Sequence, residues 1–118
     1  MDFIDPELSL EKLSHYFLPY KSSQVIFDPA FGFSKTYDQN WMILDEFSKL
    51  QELTGHSPWL IGLSRKSFLR KKIGLTEINP ETIEFLDCYH EKIFNKMGQT
   101  LKGEVWVRTH RPELIKTH

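Results

Sequence analysis

The sequence has a single cysteine, Cys88, so no disulfide can form within the chain, and a reducing compartment, with cytoplasm as the default, is expected. Apolar runs are short as well. None approaches the roughly 18 residues that a membrane-spanning helix needs, and the opening Met1-Asp2-Phe3-Ile4-Asp5-Pro6 lacks the basic and apolar segments of a signal peptide. Net charge is nearly absent, with 15 Lys and Arg against 16 Asp and Glu. That balance argues against broad electrostatic binding to nucleic acid or to an acidic membrane, so partners must be recognised locally. There is no internal repeat and no low-complexity tract. The length, 118 residues, suits one modest domain over 1–118 and falls well short of the roughly 250 residues of a closed eight-stranded α/β barrel.

Familiar catalytic signatures are missing too. Gly32-Phe33-Ser34-Lys35-Thr36 ends like a phosphate loop but lacks the first glycine and the glycine before the lysine. The histidines at 15, 56, 90, 110 and 118 show no paired metal-ligand spacing, and Cys88-Tyr89-His90-Glu91 reads as partly buried helix rather than as a zinc site. No Gly-x-Ser-x-Gly elbow occurs.

What is present is an alternation of helical stripes and short apolar runs. Asp5-Pro6 reads as an N-cap with proline at the first helical position, and Leu8, Leu10, Leu13, Phe17 and Leu18 continue a helical stripe to about Pro19. Val25-Ile26-Phe27, bounded by Pro29 and Gly32, has the uninterrupted pattern of a parallel strand covered on both faces. Asn40 to Leu53 places Met42, Ile43, Phe47, Leu50 and Leu53 at helical spacing and closes at Gly55. Trp59 to Leu63 is a second strand. Arg70, Lys71 and Lys72 read as a solvated helix face. Asn79-Pro80-Glu81 repeats the cap-plus-proline signature ahead of a helix with Ile83, Leu86, Tyr89, Ile93, Phe94 and Met97 inside, and Val105-Trp106-Val107 is a third strand before a short tail from about Pro112. This order predicts an α/β fold of about three parallel strands joined by right-handed crossover helices.

Each predicted strand runs straight into a polar loop. In parallel α/β folds, ligands bind at the carboxyl ends of the strands, so Asp28, Lys35, Lys66, Arg108 and His110 converge on one rim, with Arg108 and His110 pointing to the same side. Asp28 is solvated, caps an Asp-Pro turn, or waits for a ligand that donates hydrogen bonds. Taken together these side chains suit a ligand with two ends. The carboxylate takes paired N–H donors from an amidine-like heterocycle edge, and Lys66, Arg108 and His110 hold a phosphate or pyrophosphate, stabilising charge if it leaves.

In chain order, Phe27-Asp28-Pro29-Ala30-Phe31-Gly32-Phe33-Ser34-Lys35-Thr36, then Gly62-Leu63-Ser64-Arg65-Lys66-Ser67-Phe68, then Val107-Arg108-Thr109-His110 resemble the last three strand-end motifs of dihydropteroate synthase. The middle motif is the most specific, and the resemblance covers about residues 10–111. It implies part of a (β/α)8 TIM barrel that condenses a dihydropterin pyrophosphate with p-aminobenzoate in folate synthesis. On that resemblance Asp28 binds the amino-pyrimidine edge of the pterin, and Lys66 sits between the pterin and the p-aminobenzoate site. Arg108 and His110 hold the pyrophosphate, acting with Lys66 as the catalytic set. Phe33 lines the p-aminobenzoate pocket, and Arg65 and Ser67 complete the substrate-binding set, Ser67 at its periphery with Lys35. The family uses magnesium, but its metal-contacting asparagine belongs to the first five strands, which have no counterpart here. Ala30 stands at a family glycine and Arg111 at a family aspartate. Because three strands close no barrel and leave sheet edges unpaired, a homo-oligomer, a separate N-terminal half as partner, or a truncated or decayed gene product is expected. The isolated chain is then an incomplete transferase, or a non-enzymatic pterin- or phosphate-binding or assembly module derived from one.

Overall fold

A computed structural model of the chain describes residues 4–20 and 25–115; Met1-Asp2-Phe3 and His118 lie outside the described residues. In chain order the elements are α1 (Leu10–Phe17), α2 (Tyr37–Asp45), α3 (Phe47–Thr54), β1 (Trp59–Ile61), α4 (Ser67–Lys72), α5 (Pro80–Gly98) and β2 (Val105–Val107), with a 3-10 turn at Pro112–Leu114. β1 and β2 pair in parallel, Trp59 opposite Val105 and Ile61 opposite Val107. On the other side of β1, Phe27 makes a single parallel bridge to Trp59, its N–H donating to the Pro58 carbonyl at 3.0 Å and its carbonyl accepting from Leu60 N–H at 2.7 Å. The spatial order is therefore Phe27, β1, β2, and the loop that leaves β1 is the middle one of three.

Trp59 is the centre of the packing. Its fully buried indole lies edge-on to Phe17 and Phe47, with centroids 5.0 and 5.3 Å away, and its Nε1 donates to the His56 carbonyl at 2.8 Å. A ring of that size with its one polar atom satisfied is an efficient core residue. Around it pack Leu10 and Leu13 of α1, Ile43 and Leu44 of α2, Phe47 and Leu50 of α3, and Leu86, Phe94 and Met97 of α5. Gln51, buried on α3, ties the start of β2 to this core: its amide donates to the Lys102 carbonyl at 2.6 Å and accepts from Lys102 N–H at 2.9 Å. Two reciprocal bonds of this kind mimic a strand pairing and fix where β2 enters.

Several boundaries differ from the expectations. The first helix starts at Leu10, capped by Ser9, whose hydroxyl accepts from Lys12 N–H at 3.1 Å. Asp5 caps only a turn, accepting from Glu7 N–H at 3.0 Å, and its ion pair with Lys12 ties that turn to the helix. The expected strand over 25–27 is reduced to the Phe27 bridge, because among the described residues nothing pairs with its outer side, and Val25 and Ile26 are 40% and 49% exposed rather than covered. The single helix expected over 40–53 begins earlier, at the Thr36 capping box, and is broken at Glu46, whose φ of -114° and ψ of 27° leave the helical region. The break lets Ile43 and Leu44 on one piece and Phe47 and Leu50 on the next all reach the core. The second strand stops at Ile61, although Leu63 beyond it is still buried. Lys71 and Lys72 are exposed as expected, but each ammonium sits over a ring, Tyr37 at 4.6 Å and Trp41 at 5.7 Å. The Asn79-Pro80 cap, the long α5 and β2 fall where the pattern puts them. No helix among the described residues is long and apolar enough to cross a membrane.

Candidate active site at the strand ends

The three loops that follow Phe27, β1 and β2 enclose a cleft of about 170 Å³ lined by Asp28, Ala30, Phe31, Phe33, Gly62, Ser64, Lys66, Arg108, Thr109 and His110. The first loop is built by its own backbone bonds. Asp28 Oδ1 accepts from Ala30 N–H at 2.7 Å, and Lys35 Nζ reaches back to the carbonyls of Ala30 and Phe33, each at 3.0 Å. Half-burial lowers the Lys35 pKa, and the Asp28 charge acts against that shift. From outside the loop, buried Asn40 on α2 accepts from Gly32 N–H at 2.8 Å and donates to the Thr36 carbonyl at 2.9 Å. Gly32 has φ +87°, and a Cβ there would stand 3.4 Å from Lys66 Cδ. Glycine at this position therefore allows both the turn and the passage of the lysine stem over it.

Lys66 enters from the middle loop, with its ammonium 4.8 Å from the centre of the Phe33 ring, a cation–π contact between two loops. Phe33 is exposed, leaving its other face open for an aromatic ligand. Ser64, on the same loop, locks the third: its Oγ accepts from His110 N–H at 3.1 Å and lies 2.7 Å from His110 Nδ1. That pairing occupies Nδ1 and leaves Nε2 to meet a ligand. Arg108 is placed at the cleft by β2, its N–H donating to the Ile61 carbonyl at 3.0 Å. Among the described residues, neither Lys66 nor Arg108 has a carboxylate partner. Unpaired cations around a concave surface are an anion-binding arrangement.

Of the residues singled out from sequence, the structure brings Asp28, Phe33, Lys66, Arg108 and His110 together on the cleft. It places Arg65, Ser67 and Lys35 elsewhere. Arg65 turns away and forms a two-pronged pair with Asp87 of α5, Nε to Oδ1 and Nη2 to Oδ2, both at 3.0 Å. This contact raises the arginine's pKa. Ser67 is the exposed first residue of α4, and Lys35 supports the first loop from beneath. Ser64 and Asn40 were not anticipated. Ser64 was detectable as the first polar residue after an apolar run, whereas Asn40 is an amide whose partner is set only by the turn of the chain. Among the described residues no group of three or more His, Cys, Asp or Glu side chains could hold a metal. Among the described residues that line the cleft, Asp28 is the one carboxylate, and it shares the space with Lys66 and Arg108. This donor set does not fit magnesium, which favours carboxylate and water oxygens.

A family profile described as pterin binding enzyme matches residues 10–92. The dihydropteroate synthase of Clostridium beijerinckii is 40% identical over 55 residues, 47% of this chain and 20% of that protein. The crystal structure of dihydropteroate synthase from Stenotrophomonas maltophilia with active site-bound imidazole superposes with a TM-score of 0.74 at 20% identity, covering 94% of this chain and 42% of the other. Dihydropteroate synthase from Xanthomonas albilineans in complex with 7,8-dihydropteroate gives 0.67 at 24% identity, covering 93% and 44%. The chain thus spans about a fifth of that curated relative and less than half of these structures, whose likeness establishes a shared α/β fold.

Proposed function

The chain belongs to the pterin-binding enzyme family, and from that premise we propose that it is the C-terminal part of a dihydropteroate synthase-like (β/α)8 barrel, one domain over 1–118 that carries the pyrophosphate end of the active site. The function of the whole is condensation of a dihydropterin pyrophosphate with p-aminobenzoate in folate biosynthesis. The observation that carries this reading is the convergence of Lys66, Arg108 and His110 with Asp28 and Phe33 on one cleft. Asp28 takes the N–H donors of the pterin's amino-pyrimidine edge through the oxygen its own turn leaves open. Lys66, Arg108 and His110 hold the pyrophosphate and stabilise the charge that develops as the C–O bond to it breaks. Phe33 packs against p-aminobenzoate, with Lys66 between the two substrates.

The isolated chain is incomplete on this reading. Val25 and Ile26 are exposed at one edge of the sheet and Trp106, 51% exposed, at the other, which supports further strands or a second copy covering both edges. A separate N-terminal half or a homo-oligomer supplies them. Any magnesium is held by that missing part. Titration with inorganic pyrophosphate is the test: saturable binding to the chain, lost in Arg108→Ala, is expected, and equal binding by the two proteins would refute the assignment.

A second reading has its own observation. Arg111 is committed to Glu84 at 2.7 Å and to Glu113 at 3.3 Å, and it sits where the resembled family has an aspartate. This favours a non-enzymatic pterin- or phosphate-binding or assembly module. Turnover of dihydropterin pyrophosphate and p-aminobenzoate by the chain, alone or with an N-terminal half, would dismiss it.

A further inference from the structure

Asp87 is an unusual residue to find inside α5. It lies on the helix's core side with only 3% exposure, between Leu86 and the buried His90. A carboxylate buried to that degree is costly unless it is paired, and here two arginines from different loops meet it. Arg65 supplies the two-pronged contact at 3.0 Å, and Arg111 Nη1 lies 3.8 Å from Oδ2 while also binding Glu84. Arg65 is flanked by Ser64 and Lys66, and Arg111 directly follows His110. Arg65 also has φ +58°, a left-handed conformation that a side chain bearing Cβ adopts only when its surroundings hold it there. Its guanidinium is the part of that turn fastened to a helix.

We propose that Asp87 is the positioning residue of the cleft, a buried carboxylate that fixes the Ser64–Lys66 turn through Arg65 and acts on the Arg108–His110 segment through Ser64, with Arg111, held mainly by Glu84 and Glu113, adding a longer electrostatic contact. The two loops carrying the cationic groups are thereby referred to one point on α5. The Ser64–His110 contact then closes the frame on the cleft side. Removing the carboxylate frees Arg65 to leave the left-handed region, swings Ser64 away from His110 and loosens the placement of Lys66. The inference rests on the reading of the cleft as a pyrophosphate site for its functional consequence, but its structural content stands apart from it.

The experiment uses the full 118-residue chain and compares Asp87→Asn, Asp87→Glu and Phe94→Ala with the parent. The last is a core variant on the same helix that lowers stability and leaves Asp87 in place. Two quantities are read: the affinity for inorganic pyrophosphate, and the ring-nitrogen resonances of His110 with the exchange protection of its backbone amide. The expected result in Asp87→Asn is about a tenfold loss of affinity, the scale on which supporting partners act on the ligands they orient. A shifted Nδ1 signal and loss of amide protection accompany it. Asp87→Glu restores part of both, and Phe94→Ala changes neither. Wild-type affinity together with unchanged His110 signals in a folded Asp87→Asn protein would overturn the proposal. If the parent binds no pyrophosphate, the anion-site reading falls while the His110 signals still decide the role of Asp87. If Asp87→Asn does not fold, Arg65→Lys, which keeps the charge but loses the fork, is read by the same two quantities.

Discussion

Ala30 is held in a conformation that its side chain resists, and replacing it with glycine should make the protein more stable. Its φ of +58° lies in the left-handed region, where a Cβ costs about 1–2 kcal/mol. The loop cannot relax around it. Its N–H donates to Asp28 Oδ1 at 2.7 Å, and its carbonyl accepts from Phe33 N–H at 3.1 Å and Lys35 Nζ at 3.0 Å. Ala30→Gly keeps all three bonds and removes the methyl group. The greater freedom of glycine in the unfolded chain takes back about 0.5–1 kcal/mol, leaving a net gain on the order of 0.5–1 kcal/mol. With a urea slope of roughly 1–3 kcal/mol/M, the midpoint rises by a few tenths molar while the slope stays unchanged. Ala30→Val should move the other way by at least about 1 kcal/mol, since a branched side chain fits that region worse. In ordinary backbone the glycine substitution would destabilise, so a lowered midpoint for Ala30→Gly would refute the reasoning.

Three other outcomes follow from the same structure. Phe94→Ala, at a site only 4% exposed in the core, should cost about 3–5 kcal/mol, checked by urea unfolding; a loss under 1 kcal/mol would contradict its place there. Lys66→Ala should weaken pyrophosphate binding at least tenfold in calorimetry while changing stability by no more than about 0.5 kcal/mol, and equal damage to both would undo the separation of site from scaffold. Burial holds the His90 pKa below its ordinary value, with Asp87 opposing the shift and His110 adding to it. Below about pH 6.5 the unfolded chain takes up a proton that the folded ring refuses, so stability falls with pH by up to about 1.4 kcal/mol per unit until the folded pKa is reached. His90→Leu should flatten that part of the profile, and identical profiles would exclude the buried ring as its source.

Much of this was legible in the residues because local rules govern it. Asn79-Pro80 announces α5, Gly55 takes its left-handed φ of +66° at the end of α3, and Val105–Val107 pairs as an apolar run should. The cleft's polar residues were also findable, since each follows the end of an apolar run. What could not be read depends on neighbours remote in sequence. The break at Glu46 serves packing of both flanking pieces against one core, and periodicity alone favours a continuous helix. Asp5-Pro6 satisfied the rule for a cap, but Ser9 satisfies it too, and the apolar contacts of Leu10 and Leu13 favour the later start. Val25-Ile26-Phe27 reads as a covered strand because its composition suits a neighbour not found among the described residues. Arg65 lies in the middle of the most specific motif and still points away from the cleft, because Asp87, 22 positions later, claims its guanidinium.

The central claim, that the cleft keeps a working pterin site, is tested most directly by calorimetric titration of the purified chain with a pterin, run beside Asp28→Asn. The account predicts saturable binding that Asp28→Asn abolishes, because the amide oxygen stays on Ala30 N–H and the amide NH2, a donor, replaces the carboxylate oxygen left open to the ring's N–H donors. A folded chain that binds no pterin, or an Asp28→Asn variant that binds as well as the parent, would contradict it.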